Sequence, residues 1–193
     1  MNKKVDLLHG PIDSSLRKFT LPLAFSFLIH MLYSWVDTYY VSRLGTDAIA
    51  AIGVSEILMF ITFTIGSGFG IGTGIVVARR IGEGNRKEAD STATQAVIVM
   101  FLFATTLAII LSFLIEPALN LMQFTGKPGD LAEIYLKAYL LGLPGTFLIF
   151  QINAIVRSSG NSVFPMIILI TTSVLNAGIS PLLVFGIGPF PRL

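Results

Sequence analysis

The sequence predicts an all-α integral membrane protein with five transmembrane helices, and three observations carry that prediction. Of its 193 residues 53% are hydrophobic and only 12% are charged, against roughly 25% charged in a soluble globular domain. So few charges cannot solvate a chain of this size, and its main solvent must be lipid. Five apolar stretches follow one another, each long enough to cross a hydrocarbon layer that needs about 20 residues of helix. In lipid every backbone polar group must be satisfied internally, which leaves helices or a closed barrel. These runs are far longer than barrel strands of about 10 residues, and they do not alternate.

The first span is expected from Phe19 to Val41, after a cytoplasmic segment, residues 1–18, that holds Lys3, Lys4, Arg17 and Lys18. A cleaved leader is not expected: the apolar run starts too far from the basic residues, outlasts a leader's core of about 7–15 residues, and lacks a small-residue cleavage site. Arg43–Leu44–Gly45–Thr46–Asp47 is read as a tight link. The second span runs from Ile49 to Ala78, followed by a polar segment from Arg79 to Asp90 with Gly82 and Gly84. The third runs from Ala93 to Ile115. Glu116–Pro117 then opens a longer link containing Gly126–Lys127–Pro128–Gly129–Asp130. The fourth runs from Ile134 to Val156, and Arg157–Ser158–Ser159–Gly160–Asn161 joins it to the fifth, Phe164 to Phe185. Residues 19–185 thus form one five-helix membrane domain, and 186–193 an outer segment rich in Gly and Pro.

Orientation follows from the cations near span ends. Lys3, Lys4, Arg17, Lys18, Arg79, Arg80, Arg86, Lys87 and Arg157 fall on one side; Arg43, Lys127, Lys137 and Arg192 fall on the other. The richer side should be cytoplasmic, which puts the N-terminus inside a multi-pass protein of the cell's inner (plasma) membrane.

Several functions are disfavoured. The net charge of +2 is too small to suggest nucleic-acid binding, and the absence of cysteine removes disulfides, thiolate metal sites and cysteine nucleophiles. His9 and His30 do not form a metal-ligand cluster. No nucleophile, base and orienting group come together, so transport is expected rather than enzymatic catalysis.

Asp37 is the main functional candidate. It sits about two turns before the outer end of the first span, beside Trp35, Tyr39 and Tyr40. An intramembrane carboxylate costs about 2.5–3.5 kcal/mol on insertion scales unless it faces a polar cavity. Such a group can bind and release a proton near neutral pH, or coordinate Na⁺ through oxygen; the alternative is a carboxylate snorkelling to the outer interface. His30, seven residues earlier on about the same face, suits either a proton relay or a neutral histidine hydrogen-bonded between helices. Glu56 suits a central cavity, the interface, or a polar neighbour. Tyr39, Gln151 and Asn153 are candidate cavity-lining groups. Asn176 and Ser180, one turn apart in the fifth span, offer oxygens to a cation or hydrogen bonds to a neighbouring helix. Pro22 is a candidate hinge, and Pro144 and Pro165 lie in or beside spans; proline removes a backbone donor and can bend a helix.

Gly66, Gly68, Gly70, Gly72 and Gly74 superficially look like a nucleotide loop, but such a loop follows a strand and opens a helix in water. Inside an apolar span, Gly66, Gly70 and Gly74 instead make a small-xxx-small face that lets another helix approach closely.

Taken together and in order, several segments resemble the N-terminal half of the multidrug and toxic-compound extrusion (MATE) family. They are Leu21–Pro22 with Trp35–Val36–Asp37–Thr38–Tyr39–Tyr40–Val41–Ser42–Arg43–Leu44–Gly45 and Ala48–Ile49–Ala50–Ala51–Ile52–Gly53; Gly72–Thr73–Gly74 with Ala78 and Gly82–Glu83–Gly84–Asn85; Tyr135–Leu136 with Gly142–Leu143–Pro144; Arg157–Ser158–Ser159–Gly160–Asn161 with Pro165; and Val174–Leu175–Asn176 with Phe185–Gly186–Ile187–Gly188. The resemblance implies a cation-coupled antiporter of twelve helices in two six-helix lobes, in which inward H⁺ or Na⁺ drives export of organic, often cationic, compounds. It implies no cofactor beyond the coupling ion. Asp37 matches the family's helix-1 aspartate and Asn176 its helix-5 asparagine. One turn later, where an acidic or amide residue is common, this sequence has Ser180, an oxygen without charge.

Against that pattern the chain stops after five helices, so an incomplete first lobe is expected: a fragment, a truncated reading frame or one part of a split protein, needing a second lobe or partner chain to work. A flippase for lipid-linked polysaccharide precursors, of related fold, is one alternative, although its cavity would be lined with several basic residues and these spans carry almost no Lys or Arg. A non-transporting truncated membrane protein is another.

Overall fold

The computed structural model describes residues 12–185, without the side chains of residues 12, 14, 15, 37 and 181–185. Residues 1–11 and 186–193, and with them Lys3, Lys4, His9, Arg192 and the proposed outer segment, lie outside the described residues. All the described elements are helices: α1 (Ile12–Ser42), α2 (Thr46–Gly82), α3 (Arg86–Leu121), α4 (Lys127–Ser158) and α5 (Val163–Phe185). Each is long and apolar enough to cross a membrane, and each contains one of the expected spans.

The helices outrun those spans, and three expected links are corrected. The polar segment from Arg79 to Asp90 is mostly helix: α2 runs on to Gly82 and α3 begins at Arg86. Glu116–Pro117 opens no link, because α3 continues through Pro117 to Leu121. Lys127–Pro128–Gly129–Asp130 is the first turn of α4, where the missing N–H of Pro128 leaves no intrahelical bond unmade. The physical reason is common to all three. Hydropathy registers contact with lipid tails, whereas a helix persists into the headgroup layer wherever its backbone bonds are kept. At 1.5 Å per residue, the 37 residues of α2 span about 55 Å, well beyond a hydrocarbon core of about 30 Å.

The short connections rest on glycine followed by a capping residue. Gly84 takes φ +77° and Gly160 φ +83°, left-handed values open to glycine at little cost. Each is followed by an asparagine that caps the next helix. Asn85 Oδ1 accepts from the backbone N–H of Glu88 at 3.2 Å, and Asn161 Oδ1 from that of Phe164 at 3.1 Å. The same Gly-Asn device thus starts α3 and α5.

The described chain divides into two compact units. One comprises residues 46–159, with α2, α3 and α4 in mutual contact. Its core is made by Ala51, Met100, Ala104, Leu136, Leu143 and Phe147, among others. The tightest seam joins α2 to α4. A Cβ added at Gly66 would lie 2.6 Å from the ring of Phe147, one at Gly70 would lie 3.5 Å from Cβ of Ala154, and one at Gly74 would lie 3.9 Å from Cβ of Ser158. By contrast, Gly68 and Gly72 face open space. The expected small-residue face therefore exists, and α4 answers it with Phe147, Gln151, Ala154 and Ser158 along one side. Since lipid tails are as apolar as leucine, this close van der Waals contact, rather than escape from water, holds the helices together.

Ion pairs tie the ends of this unit. Lys127 meets Asp47 at 3.2 Å at one end, and Arg80 meets Glu88 at 2.8 Å at the other. All four side chains are well exposed, so each pair contributes about 1 kcal/mol at most.

The second unit contains α1 and α5, which pack on each other. None of the described side chains of α1 is buried, and Phe27, Trp35 and Val174 are each about 70% exposed (73%, 70% and 67%). α1 runs unbroken through Pro22. The carbonyl of Pro22 accepts a hydrogen bond from Ser26 Oγ at 2.8 Å, in addition to its place in the helix ladder.

Candidate functional site

The unit of α1 and α5 carries the expected ion-coupling residues. Asp37 lies in the last two turns of α1; its side chain lies outside the described residues. In α5 the half-buried Asn176 and Ser180 form a pair, with the Ser180 hydroxyl donating to Asn176 Oδ1 at 3.0 Å. The i,i+4 spacing places both groups on one face of the helix. The bond occupies one lone pair of the amide oxygen and leaves the serine oxygen and the second amide lone pair as acceptors. Two neutral oxygens on one turn can ligate a hard cation or accept from a protonated group.

Around Asp37 the α1 surface is aromatic and polar. Arg43 donates from its guanidinium to the Tyr39 hydroxyl at 2.6 Å, with Cζ 5.1 Å from the Tyr39 ring centre. Tyr39 and Tyr40 meet edge to face at 5.8 Å. Tyr39 is therefore engaged with the C-terminal end of its own helix. His30 is exposed, its ring 6.3 Å from that of Tyr33.

The other sequence candidates fall in the three-helix unit. Glu56 is exposed on α2 and has no hydrogen-bond or ion-pair partner among the described residues. Gln151 is completely buried in the α2–α4 seam, with Oε1 4.0 Å from the position of a Cβ on Gly70. Neither amide atom has a partner, nor does the buried Oδ1 of Asn153. The two residues point to different sides of α4, since two residues of helix turn through about 200°. Gln151 therefore faces a neighbouring helix rather than an open wall. Buried hydroxyls of α2 are satisfied by their own helix: Ser55 Oγ donates to the Ala51 carbonyl at 2.8 Å and Thr62 Oγ1 to that of Leu58 at 2.9 Å. The Gln151 side chain is too long for this and stands out as a costly exception.

Sequence reasoning gave no role to Ser162, whose Oγ is buried without a partner at the start of α5. Nor did it single out Arg157 beyond its charge: Arg157 is half-buried in the last turn of α4 and has no ion-pair partner among the described residues. Neither could be found from residue type alone, because both depend on which side of a helix is covered. No cluster of metal-ligating side chains occurs among the described residues.

Comparison with known proteins now decides the family. A family model, MatE, matches residues 22–182. The chain belongs to that family. Among curated relatives, it is 32% identical to a FAD transporter of Shewanella oneidensis over 193 residues, covering 100% of this chain and 43% of that protein. It is 27% identical to the probable multidrug resistance protein YoeA of Bacillus subtilis, covering 93% of this chain and 39% of that one. Among solved structures, it is similar to a MOP superfamily transporter from Pyrococcus furiosus, with a TM-score of 0.91 and 26% identity over 98% of this chain and 42% of the other. The chain thus spans about two fifths of the length of the MatE relatives it matches. The expected fold, five helices of the first MATE lobe, is what this likeness covers.

Proposed function

We propose that this MatE chain supplies the ion-coupling part of an H⁺- or Na⁺-driven antiporter that exports organic, often cationic, compounds. The observation that carries the reading is the unit of α1 and α5: one helix bears Asp37, and the other bears the hydrogen-bonded pair Asn176–Ser180. A proton or Na⁺ taken up at Asp37 neutralises a charge that is expensive in hydrocarbon. Asn176 and Ser180 add neutral oxygens, which suit either ion. Coupling then requires the loaded site to favour one conformation of the transporter over the other, with Pro22 as the hinge in α1. His30, Tyr39, Glu56 and Asn153 serve as groups along the substrate path, and the buried Gln151 as support for the helix that carries Asn153. The N-terminus is cytoplasmic in this reading, in the inner membrane, and the remainder of the pathway comes from a second lobe or partner chain.

The test is export by the full-length protein in cells lacking their own efflux pumps. Asp37→Asn should abolish ion-driven export of a cationic dye while membrane insertion stays at the wild-type level. Export at the wild-type rate by that variant would sink the reading.

A second substrate reading is favoured by one observation, the 32% identity with a FAD transporter across the whole chain. In it the cargo is an anionic dinucleotide. Release of FAD from cells, measured beside dye export, separates the two: a strain that secretes FAD but retains dye supports the dinucleotide.

A further inference from the structure

On the surface of the three-helix unit, α3 and α4 leave an open groove of about 330 Å³ between them. Ala93, Val97 and Ile98 line it from α3, and Ile152, Ile155 and Val156 from α4. Its one polar lining residue, Thr94, turns its hydroxyl back to the Asp90 carbonyl at 2.9 Å. The groove therefore offers nothing to a polar ligand and suits a hydrocarbon chain.

Its position along the helices is informative. Ala93 is where the apolar part of α3 begins, so the groove starts just inside the hydrocarbon boundary. Seven residues back, Arg86 and Lys87 lie on the same face of α3 as Ala93 and Thr94. That is about 10 Å along the axis, within reach of the headgroup layer for long side chains that snorkel. Asp90 shares this face and leaves it with an excess of one positive charge.

Charge accounting at this end of the unit points the same way. Glu83 is taken by Arg79 and Arg80, at 2.8 and 3.4 Å, and Glu88 by Arg80 at 2.8 Å. Arg86, Lys87 and Arg157 remain without an ion-pair partner among the described residues. Arg86 and Lys87 occupy the first turn of α3, where a cation opposes the helix dipole. They are thus not placed there to stabilise the helix.

We propose that this groove binds one acyl chain of an anionic phospholipid, whose phosphate is held by Arg86 and Lys87. A polybasic edge beside a hydrocarbon boundary attracts anionic headgroups, and the groove adds a fixed place for the chain.

Native mass spectrometry of the detergent-solubilised full-length protein tests this, with phosphatidylglycerol or phosphatidylcholine added as the probe. Phosphatidylglycerol should be retained about fivefold more strongly, the size expected from the one excess positive charge of this face. The double variant Arg86→Gln/Lys87→Gln should remove that preference and leave phosphatidylcholine binding unchanged. Val97→Trp, which fills the groove and leaves the cations intact, should weaken phosphatidylglycerol binding several-fold. Equal retention of the two lipids overturns the proposal. So does phosphatidylglycerol binding that Val97→Trp leaves untouched, which would mean a bare surface charge contact or a groove covered by another part of the transporter.

Discussion

The three-helix unit and the pair α1–α5 use the same kinds of residue to different ends. In the former, small residues bring α2 and α4 close enough for the Phe147 ring to lie over Gly66, and side chains on all three helices are buried. In the latter, no described side chain of α1 is buried, and large apolar groups such as Trp35 face outward. The polar oxygens proposed for ion coupling gather in this less packed pair. Elements with few buried contacts are the ones that can open or shift at low cost, whereas a close-packed seam resists continuous deformation. In the proposed reading, α2–α4 is the rigid body and α1–α5 the part that responds to the ion.

The largest effect expected from breaking this division is functional. Asp37→Asn should reduce ion-driven export by more than tenfold yet leave the melting temperature of the purified full-length protein unchanged. A large fall in melting temperature would show instead that Asp37 holds the structure together.

Next comes the seam. Gly66→Ala puts a methyl group 2.6 Å from the Phe147 ring and should cost about 1–3 kcal/mol, the usual range for overpacking. Gly68→Ala, into open space, should stay within about 0.5 kcal/mol. Thermal unfolding of the two variants side by side gives the answer, and equal melting temperatures would remove the case for a rigid seam.

A subtler change replaces the orphaned amide. Gln151→Leu removes two unpartnered buried polar atoms at similar volume, so stability should rise by about 1 kcal/mol. Greater stability with export lost would assign Gln151 a direct part in transport; greater stability with export kept would leave it a structural residue.

The smallest effect concerns the exposed ion pairs. The Arg79 guanidinium bonded to Glu83 holds that carboxyl below its ordinary range. A carboxylate with a depressed pKa adds stability above its unfolded value and loses it as pH falls through the folded one. Wild type should thus lose a small increment of stability on acidification that Glu83→Gln does not lose, measurable as a difference in melting temperature between pH 7 and pH 3. An identical pH dependence in both would mean that the pair contributes nothing.

Much of the fold was legible because hydrophobicity and helix period are local properties. Each expected span lies inside a helix, and the spacing of Gly66, Gly70 and Gly74 marked the face that meets α4. Helix ends were less legible: Pro117 and the polar residues around Arg86 read as links, because hydropathy reports lipid contact rather than backbone bonding. At the candidate site, Asn176 and Ser180 were recognisable as a pair from their four-residue spacing, which alone sets them on one helix face. That the serine donates to the amide oxygen was not legible, since rotamers depend on surroundings.

The sequence by itself determined that this chain lives in lipid, crosses it in five helices and carries two acidic residues, Asp37 and Glu56, and amides within them. Composition and run length settle such matters without knowledge of neighbours. Tertiary structure alone decided that Gln151 is the amide sealed against Gly70, that Arg157 is half-buried, and that α3 and α4 leave a groove above Arg86 and Lys87. Each of these depends on how a helix is rotated against its partner, and a rotation of about 100° per residue changes which side chain is covered without altering the apolar content of the sequence.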